Sequence, residues 1–241
     1  MKIPFQLVLA TNNQNKVAEL NHLLQGDFRI LTLKDIGFNQ QIEETGTTLH
    51  ENARIKSQLI FEKTGLPTLS DDSGLFVDAL EGRPGVYSAR YAGPQANDQD
   101  NIQLLLRSLA TTTHRSATFK TVLSFNMDQQ HYFFEGMATG VILEQPIGSH
   151  GFGYDPVFMP TGAAKSFAEM DKETKTFIAT IAIALAILWI FKPKKSANAT
   201  DKESDVVVDK YQAPKVVAEI AVTKTNLLKV FMFISSNILY F

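Results

Sequence analysis

The chain contains no cysteine. Disulfides, thiolate metal sites and a cysteine nucleophile are therefore excluded. Positive charge is not in excess either: 23 Lys and Arg stand against 25 Asp and Glu, a net charge of −2. No global basic field draws such a chain to nucleic acid. The G-x-x-x-x-G-K-[S/T] pattern of a P-loop is missing. The histidines His22, His50, His114, His131 and His150 show no metal-ligand spacing. Ser73 has no His–Asp pattern to activate it, which argues against a serine hydrolase. No internal repeat is evident at periods of about 20 to 50 residues. The first residues, Met1-Lys2-Ile3-Pro4-Phe5, run straight into an apolar strand. They lack the long apolar core and cleavage site of a leader peptide, so export of this part is not expected.

What is present suits one large α/β domain, or one domain with an appendage: 241 residues, 44% of them hydrophobic. Residues 5–10 form a short apolar, β-branched run that reads as a buried strand. A polar turn follows, and Val17, Leu20, Leu23 and Leu24 then recur at helical spacing. A second helix is expected to start at Thr48, because Thr48-Leu49-His50-Glu51 matches a capping box. Gly65 and Pro67 should stop it. A strand is expected over 66–70, a turn at Asp71-Asp72-Ser73-Gly74 and a helix over 101–109. Residues 117–125 and 131–142 alternate as an antiparallel strand pair, and a glycine-rich loop at 148–153 leads to a strand over 154–159. Helices mixed with both kinds of strand pairing predict an α/β fold with a mixed sheet.

Four segments carry groups with chemical potential. Thr11, Asn12, Asn13, Gln14, Asn15 and Lys16 lie between a strand and a helix, where amides and a lysine suit a phosphate. Alone, the segment is also what a solvated turn looks like. Glu43-Glu44 and Asp71-Asp72 are acidic pairs in expected loops. Carboxylates there can hold Mg²⁺ or orient an attacking water, or can simply make an acidic flank and an Asx-type turn. Lys56 lies at the margin of an apolar helix face, either snorkelling or aimed at a phosphate. Gly151-Phe152-Gly153-Tyr154-Asp155 offers aromatic faces and close backbone approach, or a hairpin with core aromatics.

The order of these segments is more telling than any one of them. Leu9-Ala10-Thr11-Asn12-Asn13-Gln14-Asn15-Lys16 is followed by Glu43-Glu44-Thr45-Gly46, Glu51-Asn52-Ala53 and Ser70-Asp71-Asp72-Ser73-Gly74-Leu75. Pro84-Gly85-Val86-Tyr87-Ser88-Ala89-Arg90-Tyr91, Gly151-Phe152-Gly153-Tyr154-Asp155-Pro156 and Phe167-Ala168-Glu169-Met170 complete the series. It closely resembles the inosine/xanthosine triphosphate pyrophosphatase family over about residues 7–175. The resemblance implies a two-lobed, mixed-sheet α/β fold with a cleft active site, usually a cytoplasmic homodimer. It implies Mg²⁺-dependent hydrolysis of inosine, deoxyinosine and xanthosine triphosphates to monophosphate and pyrophosphate, cleansing the nucleotide pool.

By position, the resemblance gives Thr11 to Lys16 the triphosphate. Glu43, Glu44 and Asp72 receive Mg²⁺, and Asp72 also receives the proton of the attacking water with Asp71 in support. Lys56 would neutralise phosphate charge. Ser73, Phe152, Gly153, Tyr154 and Asp155 would line the nucleotide pocket, and Lys175 matches a substrate-binding lysine.

Composition changes abruptly after Thr176. The family's Ser-His-Arg, which contacts the purine, is replaced here by Ala179, Thr180 and Ile181. These supply neither imidazole nor guanidinium donors, which predicts impaired activity and base selectivity. Residues 177–191 form an apolar run bounded by Lys192-Pro193-Lys194-Lys195, shorter than the roughly 17–25 residues a membrane span needs. The expected division is a pyrophosphatase domain over 1–176, an apolar helix over 177–195 and a linker and tail over 196–241. The alternative reading is a catalytically weak nucleotide-binding protein tethered to a membrane by 177–191.

Overall fold

The structure, a computed structural model, describes residues 5–13, 17–18, 28–170 and 217–219. Eight strands form one mixed sheet. They are β1 (Phe5–Leu9), β2 (Phe28–Thr32), β3 (Thr68–Val77), β4 (Pro84–Gly85), β5 (Ser116–Met127), β6 (Gln130–Ile142), β7 (Phe158–Pro160) and β8 (Val217–Glu219). The helices of interest are α1 (Leu49–Thr64) and α2 (Asp98–Ser108). Hydrogen-bonded order is β2-β1-β3-β5-β6-β7, with β4 on β3 and β8 on β6. The α/β class with a mixed sheet is thus as expected.

The chain divides into two compact units. The first comprises Met1–Asp72, Val122–Glu135 and Thr180–Val217; the second comprises Ser73–Thr121, Gly136–Ala179 and Ala218–Phe241. The expected boundary at 176/177 and the apolar run 177–191 lie outside the described residues. Among the described residues no helix is long and apolar enough to cross a membrane.

In the first unit, β1 pairs in parallel with β2 on one side and with β3 on the other. A strand with parallel neighbours on both sides is covered on both faces, so it reads as a continuous apolar run. Leu7 and Leu9 join Leu69, Leu123, Phe125 and Phe134 on one face. Val8 and Ala10 join Leu33, Ile42 and the α1 residue Ile60 on the other. The capping box at Thr48 forms as expected. Thr48 Oγ1 accepts from Glu51 N at 3.1 Å and Glu51 Oε2 accepts from Thr48 N at 3.0 Å. Gly65, at φ 65°, closes the helix in the left-handed conformation.

Strands β5 and β6 are neighbours joined by Asp128 and Gln129, both at positive φ. That is the two-residue turn whose twist suits an antiparallel hairpin. Within this unit a polar chain is buried beside the hairpin. Ser57 Oγ lies 2.7 Å from Ser124 Oγ, which lies 2.5 Å from His131 Nε2. Burial, helped by the nearby Arg54 charge, depresses the His131 pKa to about 4.

The second unit is built on the cluster of Leu75, Val77, Ile102, Leu105, Leu109, Tyr154, Val157, Phe158 and Phe167. Helix α2 begins three residues before the expected 101, because Asn97 and Asp100 form a reciprocal cap. Arg115 ties the end of α2 to the end of β6, donating to the carbonyls of Leu109, Ile142 and Leu143. Two expectations are corrected. Asp71 to Gly74 is not a turn but the middle of a continuous ten-residue β3. The turn signal yields because these residues complete a strand between β1 and β5, and their polar side chains find partners there. Residues 154–157 are not strand; a 3-10 turn over Asp155–Val157 precedes β7, with proline inside it.

Two outcomes are expected. Thr48→Ala removes the cap of α1 and should lower stability by about 1 kcal/mol in denaturant unfolding. His131 is neutral in the folded chain down to about pH 4, whereas in the unfolded chain it protonates near 6.5. The unfolded state therefore binds the extra proton between these values, and stability falls as pH drops from 6.5 toward 4. With the partial exposure of the ring discounted, the loss is on the order of 1 kcal/mol. The pH dependence in this window should be absent from His131→Gln.

Candidate active site

The site is assembled in the first unit from one helix face, one loop and one strand. On α1, Asn52, Ala53, Lys56 and Ile60 recur at spacings of three and four and share a face. Strand β3 exposes alternate residues to that face. Ser70 Oγ donates to the Ala53 carbonyl at 2.5 Å, locking strand to helix. Two residues on, Asp72 therefore points the same way, and its Oδ1 lies 3.6 Å from Lys56 Nζ. The loop before α1 brings Glu44, whose Oε1 accepts from Lys56 Nζ at 2.5 Å. Lys56 and Asp72 are only 12% and 13% exposed, against 29% for Glu44.

The electrostatics follow from this crowding. Burial works against the Lys56 charge, but the carboxylates of Asp71, Asp72 and Glu44 outweigh it and hold the ammonium above the ordinary lysine range. Burial raises the Asp72 pKa, with Glu44 and Asp71 adding to the rise and Lys56 and the Asn52 amide opposing it. Asp72 is thus a more basic carboxylate than a solvated one, as a proton acceptor needs.

Two buried side-chain atoms are left without a hydrogen bond among the described residues, Asp72 Oδ2 and Asn52 Nδ2. The Asn52 amide is near enough to favour the charged form of Asp72, yet makes no full hydrogen bond. An orphaned carboxylate oxygen beside a second carboxylate suits a hard cation. No group of three acidic or imidazole side chains forms a closed metal cage among the described residues. Mg²⁺ asks for less, taking one or two carboxylates and completing its shell with phosphate oxygens and water. Glu44 and Asp72 fit that demand, while Glu43 is exposed on the same loop.

The remaining expected residues fall as follows. At the end of β1, Ala10 N donates to the Leu69 carbonyl, holding the start of the Thr11–Asn13 loop beside β3. Asn13 N donates to Thr11 Oγ1 at 3.2 Å, and Val17 N to the Asn13 carbonyl at 3.1 Å. Gln14, Asn15, Lys16, Lys175, Ala179, Thr180 and Ile181 lie outside the described residues. In the second unit, Ser73 Oγ lies 2.9 Å from Thr121 Oγ1. The two loop aromatics there differ sharply. Phe152 is 39% exposed, whereas Tyr154 is buried in the core and donates its hydroxyl to the Ser88 carbonyl at 2.9 Å. Burial pushes the Tyr154 pKa up. Asp155 is buried and accepts from Phe152 N at 2.7 Å, and Gly153 N donates to Asp98 at 2.7 Å.

Sequence reasoning gave Asn52 no role. Its signal was an asparagine inside a helix, a position that residue avoids unless its amide is used. Among the described histidines, His50 pairs with Glu135 at 3.1 Å and His131 with Ser124.

The chain is similar to known proteins over most of its length. The Ham1 family model matches residues 7–190, a span that runs past 175 into the apolar segment. The dITP/XTP pyrophosphatase of Flavobacterium johnsoniae is 46% identical over 173 residues, covering 72% of this chain and 90% of its own. That of Porphyromonas gingivalis is 46% identical over 187 residues, covering 77% and 96%. Among solved structures, the Staphylococcus aureus Ham1 protein superposes with a TM-score of 0.72 at 37% identity, covering 77% of this chain and 97% of its own. With most of its length matched and the acid–lysine cluster in place, the chain belongs to the Ham1 family.

Proposed function

We propose that the protein hydrolyses inosine, deoxyinosine and xanthosine triphosphates to the monophosphate and pyrophosphate. The observation that carries this reading is Asp72, a buried carboxylate of raised pKa held beside Lys56 and Glu44 with one oxygen unpartnered. It stands in a chain whose relatives are named dITP/XTP pyrophosphatases.

In the proposed reaction a water oxygen bonds to the α-phosphorus while the bond from that phosphorus to the bridging oxygen breaks. Pyrophosphate leaves with the bridging oxygen, and the water proton passes to Asp72. Burial makes Asp72 basic enough for this, and the charge of Asp71 on the same strand reinforces it. Lys56 keeps Glu44 and Asp72 from repelling one another and offers its charge to the phosphates. Mg²⁺, when bound by Glu44 and Asp72 with Glu43 nearby on the loop, supplies neutralisation of the triphosphate. Thr11, Asn12 and Asn13, in the loop after β1, would take the triphosphate, and Lys16 would add a cation. On the second unit, taken by itself, Phe152 has an exposed ring, and buried Tyr154 and Asp155 shape the loop that carries it. The homodimeric assembly and cytoplasmic location implied by the family belong to the same reading.

Asp72→Asn keeps the shape and removes the base. Pyrophosphate release should fall by about 10²- to 10⁴-fold with an unchanged circular dichroism spectrum; turnover near the natural rate would assign the base elsewhere.

Ala179, Thr180 and Ile181 leave purine oxygens without their family donors. Each lost hydrogen bond to substrate is worth about 1–3 kcal/mol. Restoring Ser, His and Arg at 179, 180 and 181 should therefore raise the preference for inosine over adenosine triphosphate by roughly 30-fold or more. The comparison of kcat/KM for the two nucleotides in both chains measures it. Strong selectivity already present in the natural chain would show that other residues read the base.

A further inference from the structure

The loop that carries Glu44 is held by Ile42 in the core, by the Lys56–Glu44 pair and by Thr47, which donates to Glu51 Oε2 through N and Oγ1 at 2.7 and 2.9 Å. Glu43 and Thr45 are exposed, and Glu44 and Gly46 are half-buried. Between these points Gly46 is fixed by Asn52, which is fully buried on α1. Asn52 Oδ1 accepts from Gly46 N at 2.8 Å. The approach is close: a Cβ at position 46 would lie 2.5 Å from Glu51 Cβ, 2.7 Å from Asn52 Oδ1 and 3.0 Å from Asn52 N. Glycine at 46 and asparagine at 52 are thus two halves of one contact, and it sets the path of the backbone two residues after Glu44.

The other end of the same side chain faces Asp72, near enough to favour its charged form yet short of a full hydrogen bond. Asn52 Nδ2 is buried without a hydrogen-bond acceptor among the described residues, and so is Asp72 Oδ2 without a donor. Leaving a buried amide donor unmade is costly, and natural cores avoid it unless the group serves another state. Asn52 stands one turn before Lys56 on the helix face that β3 meets through Ser70 and Asp72. One amide therefore touches the loop that brings the first carboxylate and faces the strand that brings the second.

We propose that Asn52 is a positioning residue that sets Glu44 and Asp72 in one frame, its Oδ1 anchoring the Glu44 loop through Gly46 and its Nδ2 reserved for Asp72 Oδ2 in the reacting state. The catalytic part of this proposal rests on the pyrophosphatase reading, whereas the anchoring part does not. The amide acts on no substrate atom; it fixes the two carboxylates that do. A displacement of about 1 Å in such groups is enough to lower turnover roughly 100-fold.

The test uses the full chain with Asn52→Ala and Asn52→Asp, followed by amide hydrogen exchange at Gly46 and by kinetics with inosine triphosphate. Asn52→Ala loses both contacts. Gly46 exchange should quicken by about tenfold or more, and kcat should fall roughly 100-fold with KM altered far less. Asn52→Asp keeps an acceptor for Gly46 and replaces the donor by an oxygen that, when charged, also repels Asp72. Gly46 should stay protected while kcat still falls. Natural turnover in Asn52→Asp overturns the role of Nδ2, and unchanged Gly46 protection in Asn52→Ala overturns the anchor. If Asn52→Ala does not fold, Asn52→Asp decides alone, because it separates the two ends of the amide. A natural chain that releases no pyrophosphate would defeat the pyrophosphatase reading, and the exchange result would still decide the anchor.

Discussion

Everything in the first unit's polar centre depends on the Lys56 ammonium. Three carboxylates, Glu44, Asp71 and Asp72, act on it, and two of them come from elements distant in sequence. Without the cation, burial and mutual repulsion would drive protons onto these acids or drive the loop and strand apart. Taking such charges from water costs several kcal/mol per ion, and their attraction only partly offsets it. An apolar trio would hold α1 against β3 with less strain. The arrangement is therefore better understood as a charge reservoir, two positive charges short of neutralising its acids, than as a device for stability.

That reservoir explains why β3 can hold two acids in mid-strand. Alternation sends Leu69 to the apolar face, with Phe125 and Phe134, and sends Ser70 and Asp72 toward α1. Ser70 spends its hydroxyl on the helix backbone, which fixes the strand at the distance Lys56 requires. The helix in turn is held at its first turn by the Thr48–Glu51 cap, so the lysine two turns on points from a defined start. Cap, hydroxyl lock and ion cluster are successive constraints on one side chain. The hairpin contributes apolar cover and the buried Ser57–Ser124–His131 chain, which belongs to the folded state's acid response.

Much of this was legible beforehand because the signals were local. The α1 cap, its glycine stop, the first strand and the long hairpin all rest on neighbouring residues. The turn expected at Asp71 to Gly74 was misjudged because turn propensity describes a free segment. These residues continue β3, and Asp72 and Ser73 find their partners in Lys56 and Thr121. Likewise Phe152 and Tyr154 look alike in sequence, yet one is exposed and the other lies in a core with its hydroxyl satisfied.

The sequence by itself determined the family, through the order of its motifs, and the identity of the acids and the lysine that carry charge. Spacing could place Lys56 on a helix and Asp72 near a strand, because helix and strand periods are properties of neighbouring residues. Only the tertiary structure decided that Glu44, not Glu43, meets Lys56, and that Asp72 rather than Asp71 shares its face of β3. It alone decided that Asn52 spends one end of its amide on Gly46 and turns the other toward Asp72. Those choices depend on distances between segments far apart in the chain, which no local pattern encodes, and on burial, which only the packed core creates.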